Sequence, residues 1–136
     1  MLGGVASAET IINCKLSEYE SWNSNGTVDI YKNNELSLED VMFKIDSKNK
    51  KLYNYVVEDF QLENHVKFTS TSISWSINDS LPGHLHNGSR SYSSINRNIG
   101  AYITETFHDK SSAFYKDLGM IKQKWTYNCE SVKQKF

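Results

Sequence analysis

The chain has 136 residues, of which 38% are hydrophobic and 12% aromatic, with a formal net charge of −1. This length is that of one domain, and the aromatic content with mixed charges argues against an intrinsically disordered chain. A net charge near zero also argues against the basic surface of nucleic-acid-binding domains, so we expect no nucleic-acid partner.

The first eight residues resemble the end of a secretory signal. Ala6-Ser7-Ala8 has the small-x-small form of a signal-peptidase site. We therefore expect residues 1–8 to be a signal-peptide remnant and residues 9–136 to form a single domain in the periplasm or outside the cell. The alternative is a chance match, because these residues lack a charged n-region and a full apolar h-region. No stretch approaches the length of a membrane span.

Alternation of apolar and polar residues, which is typical of half-buried strands, recurs along the rest of the chain. It predicts a first strand near residues 10–19, a short strand near 28–31, and a hairpin over 43–57 whose second arm continues through a bulge to Leu62. It also predicts strands near 66–77, two strands over 92–95 and 99–107 around the turn at Asn96-Arg97-Asn98, and a last strand near 121–129. A turn of helix fits within residues 108–118. This pattern favours a mostly β fold: an antiparallel barrel or sandwich of about seven or eight strands.

Residues 78–94 are rich in turn-forming residues and form the longest candidate functional loop. Within it, His84 and His86 lie on the same side of an extended segment, where they can bind one metal ion. Asp79, His65 or His108 would have to supply a third ligand. The alternative is a plain surface loop with no metal.

The two cysteines lie on the apolar faces of the first and last predicted strands. Because those strands are neighbours in a closed barrel, we expect a disulfide between Cys14 and Cys129. The alternative is a pair of buried free thiols in a cytosolic protein. The two positions are too far apart in sequence to suggest a zinc site.

Ser94-Ile95-Asn96-Arg97, with Gly100-Ala101-Tyr102 and Phe43-Lys44-Ile45-Asp46, resembles segments of a group of small exported bacterial and phage-borne proteins. Those proteins have an early Cys, an Ile-Asn-Arg-x-x-Gly segment and a late Cys near a C-terminal Lys-Phe, as in Cys129 and Lys135-Phe136 here. The resemblance implies export and a disulfide, and it implies no catalytic residue. Independently, Asn96 to Gly100 predicts a hairpin turn in which Arg97 anchors the loop by hydrogen bonds.

The sequence carries no nucleophile elbow and no phosphate-binding glycine loop, so we expect no cofactor and a protein that is not an enzyme. The alternative is a metal-dependent enzyme that acts through His84 and His86. We expect a non-enzymatic binding module for a small ligand or a protein partner. The alternatives are a structural subunit of a surface or virion assembly, with oligomers as one form, and a periplasmic enzyme inhibitor. Five aromatic residues outside the predicted inward set are candidates for a binding surface: Trp22, Tyr31, Tyr92, Tyr102 and Tyr115.

Overall fold

The computed structural model describes residues 9–32, 39–78 and 88–132. In these ranges the chain forms ten strands and one short helix, α1 (Ala113–Leu118). The strands are β1 (Glu9–Asn23), β2 (Val28–Lys32), β3 (Val41–Asp46), β4 (Lys51–Val56), β5 (Asp59–Leu62), β6 (Lys67–Phe68), β7 (Ser72–Asn78), β8 (Ser89–Asn96), β9 (Ala101–His108) and β10 (Met120–Ser131).

All the strands belong to one antiparallel sheet in the order β5-β4-β3-β1-β10-β9-β8-β7-β6, with β2 paired to β1. Residues 63–66 join β5 to β6, which stand at opposite ends of this order. In a flat sheet those ends would be about 38 Å apart, but four residues bridge only about 17 Å. The sheet therefore curls into a half-barrel that brings its two ends together.

The long first strand is the centre of the sheet. One edge of β1 pairs with β10 along most of its length, and the other edge pairs with β3 over its first half and with β2 over its second. A bulge between Leu16 and Glu18 separates the two halves. The Ser17 hydroxyl inside this bulge donates to the Thr126 carbonyl at 3.0 Å, which keeps the two strands joined there.

The core fills the concave side of the sheet with apolar and aromatic side chains. The Phe43 ring of β3 meets the Trp75 ring of β7 edge-on at 5.7 Å and the Tyr102 ring of β9 at 4.9 Å. These contacts join strands from opposite arms of the sheet, as the curled shape requires. The buried apolar residues are Ile12, Cys14, Leu16, Phe43, Ile45, Leu52, Ile73, Trp75, Ile95 and Tyr127.

The mostly β fold predicted from the sequence is confirmed, with ten strands in place of seven or eight because the predicted second arm of the hairpin is two strands, β4 and β5, and because β6 and β7 are separate strands. The predicted bulge after residue 57 is wrong: Val56 pairs with Asp59, so the chain reverses at Val57-Glu58. Tyr102, expected outside the core, packs against it. No helix in the described part of the chain is both long and apolar enough to cross a membrane.

Candidate functional site

The hairpin turn between β8 and β9 is built by Asn96. Its side-chain oxygen accepts hydrogen bonds from the backbone N–H groups of Asn98 and Ile99, at 3.0 and 3.2 Å. Its backbone carbonyl accepts from Gly100 N at 3.0 Å. An asparagine that satisfies two backbone donors in this way fixes a short turn without help from the rest of the molecule.

Gly100 is required at the end of this turn. Its φ is +66°, and a Cβ there would lie 2.8 Å from the Cys129 carbonyl oxygen. Cys129 N donates to the Gly100 carbonyl at 2.7 Å. Glycine adopts the left-handed conformation without steric cost and lets the two backbones approach, so Gly100 places the turn directly against the strand that carries Cys129.

Arg97 joins this turn to two others. Its backbone N–H donates to the Thr71 carbonyl at 2.8 Å, and its Nη2 donates to Ser47 Oγ at 2.7 Å. A guanidinium has five N–H donors, and within residues 9–32, 39–78 and 88–132 only this side-chain contact engages them. The side chain is exposed, at the same end of the half-barrel as the disulfide.

Ser47 is held in place by the turn that follows β3. Asp46 accepts hydrogen bonds from the side chain of Asn49 at 2.9 Å and from its backbone N–H at 3.1 Å. These hydrogen bonds lower the pKa of the Asp46 carboxyl below its ordinary value. The ionised carboxylate is thus the form that holds the turn on which Arg97 docks.

Cys14 and Cys129 are joined by a disulfide, with their Sγ atoms 2.10 Å apart. They are directly opposite each other in the β1–β10 ladder. Cys14 is fully buried. The bond therefore closes the central strand pair at the end of the half-barrel where Arg97 lies.

These elements enclose a cavity of about 380 Å³, here called the end cup. All six residues from Ile95 to Gly100 line it, with Cys129 in its wall. Its floor is formed by the buried side chains of Ile12, Ile45 and Ile95. Its rim carries the exposed charges of Arg97 and Glu130. An apolar floor below a few polar groups is the usual composition of a small-molecule site.

The candidate metal ligands are not brought together by the described residues. His84, His86 and Asp79 lie outside the described residues. His65 is exposed before β6, and His108 is buried in β9. Among residues 9–32, 39–78 and 88–132, no three potential ligands form a cluster that suits a metal ion.

His108 belongs to a buried hydrogen-bonded chain that sequence reasoning missed. Gln123 Nε2 donates to the Tyr19 hydroxyl at 2.7 Å, which leaves Gln123 Oε1 to accept from His108 Nε2–H at 2.8 Å. His108 Nδ1 then accepts from the Ser89 hydroxyl at 2.7 Å. Serine next to histidine suggests nucleophilic catalysis, but Ser89 is only 1% exposed and no substrate reaches it.

The polar chain instead fixes the helix. Ser112, which is fully buried, caps α1 by accepting from Phe114 N at 3.2 Å, and its hydroxyl lies 3.3 Å from that of Ser89. The His108 ring stacks on Phe114 at 4.7 Å. The sequence gives only a weak signal for such a network, because its members are distant along the chain. The pairing of β8 with β9, of β9 with β10 and of β10 with β1 brings them together.

No protein-family model, no curated protein and no solved structure matches this chain.

Proposed function

We propose that this protein is an exported, non-enzymatic binding module whose end cup holds a small amphipathic carboxylate. The observation that carries this proposal is that the whole segment from Ile95 to Gly100 lines one cavity with an apolar floor and Arg97 on its rim. The disulfide in the cup wall supports an oxidising compartment, where such bonds persist.

The interior of the half-barrel does not suit a ligand, because the Phe43, Trp75 and Tyr102 rings pack against one another there. The cup lies beyond that packing. The three isoleucines of its floor, together with Ile99, which is 73% exposed, offer an apolar surface to the body of a ligand. The Arg97 donors that have no side-chain partner among the described residues suit the two oxygens of a carboxylate, which guanidinium groups bind in a forked geometry.

Sodium hexanoate, titrated into 15N-labelled protein, tests the proposal. We expect chemical-shift changes in residues 95–100 and 129–131, and binding about fivefold weaker in Arg97→Gln, the size of an exposed charge-assisted contact. The matched control is Arg90→Gln, which changes the chain's other arginine, exposed on β8, and should leave binding unchanged.

Glu130 supplies a second test that does not alter the turn. As an exposed carboxylate on the same rim, it opposes a bound carboxylate by like-charge repulsion. Glu130→Gln should therefore strengthen hexanoate binding about twofold, an effect that salt reduces. Binding that is insensitive to both Arg97→Gln and Glu130→Gln would show that the cup does not hold the carboxylate.

A second candidate function, docking to a protein partner, is favoured by the β4–β5 hairpin. Its tip exposes 87% of Val57, and its arms expose 43% of Tyr55 and 50% of Leu62. Exposed apolar groups gathered on one element mark interaction surfaces. Docking of this kind serves both an assembly subunit and an enzyme inhibitor.

A photo-crosslinking residue at position 57 tests this second candidate in the native host. The matched control is the same residue at position 28, since Val28 lies 39% exposed on β2. A discrete heavier adduct from position 57 and none from position 28 supports docking through the hairpin. The absence of an adduct at position 57 contradicts it.

A further inference from the structure

The convex side of the sheet carries a second cavity, of about 330 Å³, here called the outer groove. It lies over β7, β8 and β9, with His65 and Lys67 along one side. It does not share a lining residue with the end cup. Because Ile95 of β8 points into the core, its neighbour Ser94 points out to this convex face.

Small residues create the groove. In one row across the sheet, Lys67 is opposite Ser74, Ser74 is opposite Ser94, and Ser94 is opposite Ile103. In the next row, Ser76, Tyr92 and Glu105 are opposite one another in turn. Serine side chains between larger neighbours leave a depression whose surface presents hydroxyl groups.

These hydroxyl groups are free to bind a ligand. The side chains of Ser74, Ser76 and Ser94 make no hydrogen bond to any other residue that the structure describes. By contrast, the inward Ser93 hydroxyl of the same strand lies 2.9 Å from Thr104 Oγ1. A hydroxyl both donates and accepts, so the three outward serines can match a ligand that itself carries hydroxyl groups.

Tyr92 provides an aromatic wall in a fixed position. Its ring meets the Phe107 ring edge-on at 5.8 Å, and the side chain is 47% exposed. A held aromatic ring offers a large contact area at low entropic cost, and its hydroxyl is a further hydrogen-bonding group.

The groove has little net negative charge. Glu105 pairs with Lys122 at 2.9 Å, where both side chains are largely shielded from solvent. The Lys122 ammonium also lies over the Trp22 and Phe107 rings, at 4.8 and 5.4 Å, which holds it in this pairing. Lys67 and His65 remain as exposed donors at the other side.

From these features we infer that the outer groove binds a saccharide chain. An aromatic wall supplies contact for the apolar face of a sugar ring, and the serine hydroxyls meet its hydroxyl groups. This inference is independent of the carboxylate proposed for the end cup, because the two cavities lie on opposite faces of the sheet and take different chemistry.

The test measures binding of the intact, oxidised protein to immobilised chitotriose, cellotriose and maltotriose. We expect at least one of these to bind, and binding to fall at least tenfold in Ser94→Leu, whose longer side chain fills the groove from an outward position. Tyr92→Ala should reduce binding by a similar factor.

Tyr31→Ala is the matched control. Tyr31 is 41% exposed on β2 and stacks on the Tyr19 ring with centroids 5.9 Å apart, so it resembles Tyr92 in exposure and in having an aromatic neighbour. This variant should bind as the unmodified protein does. Absence of binding to all three sugars, or equal binding by Ser94→Leu, overturns the inference. Either result leaves the hexanoate titration of the end cup unaffected.

Discussion

The inward faces of β8, β9 and β10 differ sharply between their two ends. Near the disulfide they carry Ile95, Tyr102 and Tyr127, which join the apolar core. Farther along the same strands, the inward residues are polar: Ser89 and Ser91, Thr106 and His108, and Gln123. We call these regions the apolar half and the polar half. One sheet thus continues through two kinds of interior, one stabilised by packing and the other by hydrogen bonds.

The comparison teaches that the fold does not depend on an unbroken apolar core. In the polar half, the buried groups are satisfied in a chain from Tyr19 through Gln123 and His108 to Ser89. A fully satisfied network specifies one arrangement, but each member depends on the next. In the apolar half, contacts are many and individually weak, and the disulfide adds a covalent link.

The largest expected loss of unfolding free energy comes from removing the disulfide of the apolar half. The Cys14→Ala/Cys129→Ala variant should lose about 4–5 kcal/mol of unfolding free energy, because the bond restricts a long loop of the unfolded chain. The two cysteines are 115 positions apart. Urea denaturation measures the loss, and the reduced unmodified protein should behave alike. A loss below about 1 kcal/mol would show that packing alone holds the apolar half.

The next effect tests the polar half. Ser89→Ala removes the closer donor to His108 Nδ1, at 2.7 Å, and leaves only the longer contact with the Ser112 hydroxyl at 3.4 Å, so unfolding free energy should fall by about 1–3 kcal/mol. The control is Ser94→Ala, on the convex face, which should lower unfolding free energy by less than about 0.5 kcal/mol. If urea denaturation gives equal values for the two variants, the network does not stabilise this half.

A smaller change in unfolding free energy, of opposite sign, is expected at the tip of the β4–β5 hairpin, which belongs to neither half. Val57 has a φ of +48°, a conformation that is costly for a β-branched residue. Val57→Asn should raise the unfolding free energy by about 1 kcal/mol, because asparagine tolerates this conformation. Val56→Asn, within β4, should show no such gain. A destabilised Val57→Asn variant would mean that the exposed valine makes contacts that offset its strain.

The smallest expected effect on unfolding free energy is in the apolar half, and it is seen only at alkaline pH. Burial raises the pKa of Tyr102 to about 12, from an ordinary value of 10.0. The pKa of Tyr102 is higher in the folded state than in the unfolded state, so its protonated hydroxyl contributes to the unfolding free energy. This contribution is complete below pH 10 and is lost as the pH rises towards 12. In Tyr102→Phe, unfolding free energy should decline less steeply over that interval. If unfolding free energy declines equally steeply in Tyr102→Phe, the Tyr102 hydroxyl is exposed to solvent in the folded protein.

The sequence predicted the apolar half well, because alternation identifies inward apolar residues without knowledge of their partners. It placed Ile12, Cys14 and Leu16 on one face of the first strand, and all three are buried. It also predicted the turn at Asn96 to Gly100, where residue types and backbone conformation agree.

The polar half and the hairpin tip could not be predicted in the same way. Ser89, His108 and Gln123 resemble surface residues until strand pairing brings them together. Val57-Glu58 lacks the asparagine or glycine that marks a tight turn, so the chain was expected to continue. The loop predicted over residues 78–94 extends too far, because the chain from Ser89 onwards forms β8. Residues 79–87, with His84 and His86, lie outside the described residues, and their predicted role remains a prediction.

The pairing of β1 with β10 has a consequence for synthesis. β1 leaves the ribosome before every other described strand, and its main partner is the last of them to be made. Until then, one edge of β1 has no strand to pair with, although it already carries Ile12 and Leu16. An unpaired strand edge beside apolar side chains is prone to aggregate, so we expect the nascent chain to be most prone to aggregation until β10 has emerged.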